Sequence, residues 1–130
     1  MVLVKEVETK YSPEKLEEFR FIVTNKLGIA REDFGFLIEQ YTPHKNEDLS
    51  DQMKSEQLEE LVAGYTLNDQ EVREIFDSKI KFIKGLEGAL ERIDNGSYGI
   101  CRATGKLIPE GRLRAVPHTT LTIEAKKAQY

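Results

Sequence analysis

Two apolar stripes constrain this chain most, because each is too long and too regular for anything but a helix. Leu16, Phe19, Val23, Leu27, Ala30, Phe34, Leu37 and Tyr41 recur about every 3.6 residues. Val72, Phe76, Ile80, Ile83, Leu86, Leu90 and Ile93 recur about every 3.5, the coiled-coil period. Ser12-Pro13-Glu14 opens the first helix, since Ser caps, Pro suits the first turn and Glu favours the positive end of the dipole. Thr42-Pro43 ends it, giving a rod of about 43 Å at roughly 1.5 Å per residue. Asn68, with Glu71 three residues on, reads as the capping box of the second helix. Neither helix is stable alone, and two rods joined by a short segment pack antiparallel most simply. Gly28, Gly35, Gly85 and Gly88 weaken the rods and permit close approach or bending.

The chain is therefore expected to be mainly α, a long antiparallel coiled-coil hairpin over residues 12–95. Residues 1–11 form an N-terminal arm in which Val2, Val4 and Val7 alternate with charge. The connection at 43–67 reads as the tip of the hairpin: a polar loop, then a short helix from Ser55 that Gly64 closes. Acidic residues crowd there, among them Asp48, Asp51, Glu59 and Glu60.

After the second rod the pattern changes. Asn95-Gly96 stops the helix, because Gly takes the left-handed conformation that a C-cap needs. Residues 98–108 then read as two short apolar strands around a four-residue turn ending in Gly105. This is the outline of a zinc knuckle, in which Cys-x-x-Cys-Gly points two thiolates at one metal. Only Cys101 keeps its sulfur. Thr104 stands at the second ligand position, and Thr122 and Ala125 repeat the same spacing further on. One thiol cannot hold tetrahedral zinc, so residues 96–130 are expected to form a degenerate, metal-free module with a C-terminal helix. Tyr98, Ile100, Leu107, Ile108, Leu113, Leu121 and Ile123 are expected to pack together in place of the metal. Pro109 to Arg114 reads as one helical turn ended by Pro117, and Thr119 or Thr120 as the cap of the last helix.

Charge separates the two regions. Residues 1–95 carry 13 basic and 21 acidic side chains, whereas residues 96–130 carry 6 basic and 2 acidic. An acidic shaft with a basic end argues against a general DNA binder, which would show one strongly basic face. A single cysteine and the lack of a leader-like stretch fit a cytoplasmic protein, and no run of eighteen apolar residues is present to span a membrane. Catalysis by Cys101 would need a nearby base, and His118 is the one local candidate; His44 sits in a polar loop. No phosphate loop, nucleophile elbow or metal-binding His pair occurs. No enzyme is expected. The basic set Arg102, Lys106, Arg112, Arg114, Lys126 and Lys127 suits an anionic partner surface.

Residues 80–126 resemble the C-terminal part of the TraR/DksA family of transcription regulators. The resemblance rests on the helix ending, on Tyr98-Gly99-Ile100-Cys101, and on Gly105, Arg112-Leu113, Ala115, Pro117, Leu121 and Ile123. It is nearest to the branch without zinc cysteines. It implies a protein that binds RNA polymerase itself, with no sequence-specific DNA contact, and inserts its coiled-coil tip into the secondary channel. The globular end would rest on the polymerase rim, with Arg112, Arg114 and Lys126 as candidate contacts.

The family tip carries two Asp three apart, followed by Ala. An ungapped count places Leu58, Leu61 and Ala63 there, whereas Asp48 and Asp51 keep the Asp spacing elsewhere. The tip candidates are thus Asp48, Asp51, Glu59, Glu60 and Ala63. Of the family's basic contacts to the alarmone guanosine tetraphosphate, Lys126 matches, while Gly85 and Val116 replace a Lys and an Arg, which weakens the case for that ligand. A rival expectation is a structural or adaptor coiled coil acting by self-association or by binding a partner helix.

Overall fold

The computed structural model describes residues 9–42, 53–64 and 69–129. Five helices follow in order: α1 (Pro13–Tyr41), α2 (Ser55–Ala63), α3 (Gln70–Asn95), α4 (Glu110–Ala115) and α5 (Ile123–Ala128). Residues 1–8, the greater part of the expected arm, lie outside the described residues, as do 43–52 with His44, Asp48 and Asp51, and 65–68 with Asn68. The chain divides into two compact units, one of Met1–Val23 with Ala89–Tyr130 and one of Thr24–Gly88.

The ends of the long helices follow from local chemistry. At the start of α1 the Ser12 hydroxyl accepts the Lys15 N–H at 3.2 Å and its carbonyl accepts the Leu16 N–H at 2.9 Å. The stop before Pro43 reflects the bias of a pre-proline residue away from helical backbone. α3 starts one residue later than a cap at Asn68 requires: Asp69 supplies the cap, its carboxylate accepting the Glu71 N–H at 2.9 Å and its carbonyl the Arg73 N–H at 3.1 Å. α3 ends in a Schellman motif. Gly96 lies at φ 80°, the Gly96 N–H reaches the Ile93 carbonyl at 3.3 Å and the Ser97 N–H reaches that of Arg92 at 2.9 Å.

In the Thr24–Gly88 unit, the α1 and α3 segments run antiparallel. Leu27, Ala30, Phe34 and Ile38 from α1 meet Val72, Phe76, Ile80, Ile83 and Leu86 from α3, all buried. The Phe34 and Phe76 rings stand edge to face with centroids 5.6 Å apart. The stripe on α1 departs from expectation at its end. Ile38 takes the core position, while Leu37 is half-buried and Tyr41 lies largely in solvent with its ring edge on Phe76. From Phe34 the four-residue step to Ile38 stays on the buried face, and the three-residue step to Leu37 leaves it.

α2 is the third layer of this unit. Gly64 closes it as expected, though in ordinary helical rather than left-handed backbone, with its N–H on the Glu60 carbonyl at 3.2 Å. Leu58 is buried, the Ser55 N–H donates to a Glu87 carboxylate oxygen at 2.9 Å, and the Ser55 hydroxyl donates to the other. Glu59 pairs with Lys84 at 3.1 Å. Residues 55–63 therefore lie along α3 beside Lys84 and Glu87, and do not cap the far end of a hairpin as the reading of 43–67 as one tip required. An amphipathic helix with Leu58 on its apolar side gains more by burying it against α3 than by standing in water.

In the other unit, Phe19 and Val23 of α1 and Ala89 and Ile93 of α3 join Tyr98, Ile108, Leu113 and Leu121 in one core. α4 and α5 are six residues each. The expected pair of strands is reduced to one antiparallel bridge, Ile100 to Leu107.

Candidate functional site

The module after α3 is tied by hydrogen bonds between residues far apart in sequence. Cys101 N–H reaches the Lys106 carbonyl at 2.8 Å, Ile108 N–H that of Gly99 at 2.7 Å, and Arg102 N–H that of Thr120 at 2.9 Å. Tyr98, fully buried, donates its phenol to the Pro117 carbonyl at 2.8 Å, and burial pushes that phenol up to about 12. Tyr11 closes the other side. Its hydroxyl donates to the Ile108 carbonyl, and its ring meets Phe19 edge-on at 5.2 Å. Gly99 is required there. Its φ is +85°, and a Cβ on it would stand 2.6 Å from the Tyr11 ring. Tyr11 falls in the segment read as an arm, and nothing local to it signals this contact 97 residues away.

The four knuckle positions converge around one sulfur. Cys101 Sγ lies 3.8 Å from Thr122 Oγ1 and accepts the Thr122 N–H at 3.5 Å; the Thr122 hydroxyl in turn accepts the Ala125 N–H at 3.2 Å. Burial raises the thiol's pKa, but hydrogen bonds from the Thr104 side chain and from the backbone of Thr122, Ala103 and Thr104 outweigh it and bring it down to about 6. These donors surround the sulfur as they would a metal thiolate. A zinc ion does not fit the set, because one thiol, two hydroxyls and a methyl do not make a tetrahedral site. Among the described residues no group of three or more Cys, His, Asp or Glu could hold a metal ion.

Two expectations for the module's packing are corrected. Ile123 is largely exposed, whereas Leu121 is buried as expected and Thr122 and Ala125 join it on the inward face. The cap of α5 is Thr122 rather than Thr119 or Thr120, which turns Ile123, the first helical residue, off the buried face. Thr119 serves the preceding loop, its hydroxyl bonded to Leu121 and to Arg112.

The basic candidates differ in what they already hold. Arg112 turns inward, Nε donating to the Leu121 carbonyl at 2.8 Å and Nη2 to Thr119 Oγ1 at 3.2 Å. Arg114 pairs with Glu110 at 2.7 Å and with Glu18 at 3.7 Å, and Lys15 pairs with the same Glu110 at 3.2 Å. These partners hold the Glu110 carboxyl below its ordinary value, Arg114 first and Lys15 next. Lys126 and Lys127 stand exposed on the last turn of α5. Among the acidic candidates that are described, Glu59 is paired with Lys84, whereas Glu60 and Ala63 are exposed. Glu59 also lines a surface cleft of about 250 Å³ with Asp77, Ile80, Lys81 and Lys84.

The family model for the prokaryotic dksA/traR C4-type zinc finger matches residues 96–130, the module just described. Over these residues the chain is similar to the TraR/DksA family. Of the four sulfurs that a C4-type finger implies, this chain has Cys101. General stress protein 16O of Bacillus subtilis is 40% identical over 60 residues, 46% of this chain and 35% of that protein. The RNA polymerase-binding transcription factor DksA of Caulobacter vibrioides is 41% identical over 51 residues, 39% of this chain and 36% of that one. The chain thus spans about a third of the length of these curated relatives. The solved structure of transcription factor DksA2 from Pseudomonas aeruginosa aligns with 89% of this chain and 83% of its own, with a TM-score of 0.64 and 22% identity, a likeness of fold. That likeness supports the helical-hairpin architecture. Among the described residues no helix is long and apolar enough to cross a membrane.

Proposed function

We propose that this protein is a cytoplasmic, non-enzymatic transcription regulator that binds RNA polymerase and acts through its secondary channel. The observation that carries the reading is the C-terminal module, whose sequence matches the dksA/traR zinc-finger family over residues 96–130. The likeness of fold to DksA2 and the C. vibrioides relative described as RNA polymerase-binding support it. On this reading the basic end rests on an acidic rim of the polymerase, with exposed Lys126 and Arg114 as the outward cations and Arg112 holding the loop that presents them. Carboxylates between the long helices act near the catalytic Mg²⁺. Asp48 and Asp51 are favoured for that role over Glu59, which is already paired with Lys84.

Purified protein mixed with core RNA polymerase should co-elute, and in vitro transcription should change on its addition. Asp48→Asn/Asp51→Asn should keep co-elution and lose the effect on transcription, since a short-range charge effect is separable from affinity. Glu59→Gln/Glu60→Gln should regulate like wild type. Failure to co-elute overturns the reading, and full activity of both double variants removes the channel mechanism.

A further inference from the structure

We propose that the outward side of α1 within the Thr24–Gly88 unit is a docking site for a basic amphipathic helix of another protein. The proposal goes beyond polymerase binding and does not rest on it. A helix with a single core buries one face and shows water a polar one. α3 does so: Glu74, Ser78 and Lys81, on the side away from buried Phe76, are exposed. α1 does not. At about 100° per residue, Ile29 and Phe36 fall about 140° and 160° from buried Phe34, and within about 20° of each other. They stand 65% and 55% in solvent. Leu27, Ala30, Phe34 and Ile38 already give this segment its core against α3, so packing among the described residues of the unit does not account for the other two.

Ile29 and Phe36 are about two helical turns apart, roughly 10 Å along the axis. That is the spacing at which a docked helix sets successive anchors into one face. The edges of the stripe are acidic. Glu32 and Glu39 lie along one edge, about 40° and 60° from Phe36. Both are exposed, and among the described residues neither forms an ion pair or a hydrogen bond. Asp33 lies on the other edge, about 40° from Ile29. It pairs with Lys79 at 3.4 Å and remains 60% accessible. The base nearest the stripe, Lys26, is half-buried and turned about 60° from Ile29 toward the α3 side.

The carboxylates choose the occupant. A second copy that seats both apolar residues sets each on its own image if parallel, or Ile29 on Phe36 if antiparallel. In both cases Glu32 and Asp33, which lie between the two anchors, meet their own images and gather carboxylates in one layer. Like charges so placed oppose association. A helix with apolar residues at the same spacing and Lys or Arg on its flanks meets opposite charge in that layer instead. Glu32 and Glu39 can take such bases without giving up an existing partner among the described residues. The two apolar side chains leave roughly 250 Å² in solvent. Against the roughly 800 Å² per partner of a standard interface, this predicts weak, reversible docking.

The probe is a synthetic three-heptad helical peptide with leucine on one face, lysine on both flanks and alanine elsewhere. Its fluorescence anisotropy is titrated with the full chain. Binding is expected with a Kd on the order of 10–100 μM, weakening as salt is raised. Phe36→Ala, which changes no charge, should weaken it about tenfold while circular dichroism stays that of wild type. The same peptide with glutamate for lysine should bind wild type at least about tenfold more weakly. Glu32→Lys/Glu39→Lys should reverse that preference. No binding overturns the proposal. So does binding that Phe36→Ala leaves unchanged, which is only the attraction of a cationic peptide to an acidic chain. Equal binding of the two peptides overturns it as well. Sedimentation equilibrium of the chain alone supplies the remaining outcome: a dimer that Phe36→Ala dissociates assigns the face to a second copy and overturns the basic helix.

Discussion

The two units of this protein solve the same problem by different means. The α1–α2–α3 layer of residues 24–88 is held by stripes of large apolar side chains, with polar clasps from Ser55 to Glu87 and from Glu59 to Lys84. The module of residues 96–130 has helices of six residues and a single bridge, too little regular structure to order itself. The family model that matches it describes a C4-type zinc finger. Here the frame is held by long-range hydrogen bonds to backbone carbonyls, from Tyr11, Tyr98 and Arg112, and by donors gathered on Cys101. A metal concentrates its stabilisation in four bonds, whereas this module spreads it over contacts that each contribute about 1 kcal/mol. Apolar stripes tolerate local change, and a web of this kind depends on close fit. Glycines and the cysteine are where that difference is sharpest.

The largest effect is expected at Gly99. Gly99→Ala places a Cβ at φ +85° and 2.6 Å from a Tyr11 ring that its own hydrogen bond holds in place. It should cost about 3 kcal/mol or more, from left-handed strain and overpacking together, and urea titration should show the loss. A cost below about 1 kcal/mol would mean that Tyr11 is not an anchor.

Cys101 comes next, as the sulfur on which the donors of the module gather. Its folded-state pKa, about 6, lies below the ordinary 9.0. The unfolded thiol holds its proton between those values while the folded one does not, so stability rises with pH across that window. The contribution is complete above pH 9, declines as pH falls toward 6, and is absent below. Denaturation midpoints of the wild type should climb from pH 6 to 9, and Cys101→Ser should flatten the climb and cost about 1–3 kcal/mol at pH 9. Parallel profiles for the two proteins would sink the thiolate.

The smallest effect, of opposite sign, is expected at Gly28 of α1, where an added Cβ meets no atom within 4 Å. Gly28→Ala should stabilise the protein by about 0.5–1 kcal/mol, through helix propensity alone. Opposite signs at Gly99 and Gly28 in one thermal-unfolding series would confirm the contrast, and equal signs would break it.

Much of this protein is decided within a few residues of chain. Ser12 and Pro43 bound α1, Ser55 and Gly64 bound α2, and Gly96 ends α3, because caps and stops act over one helical turn. The periods of 3.6 and 3.5 selected nearly every core position of the long helices, since a stripe repeated over many turns leaves one face to bury. That the four knuckle positions lack a C4 ligand set is likewise read from residue identity alone. Tertiary structure decided the rest. A six-residue helix has too few turns for periodicity to choose its face, so α5 turned on where Thr122 caps it, and Ile123 went outward. The bond from Tyr11 to Ile108, the inward turn of Arg112 and the seating of α2 along α3 join residues that no local pattern pairs. Such contacts become favourable only after the chain has brought its distant parts together.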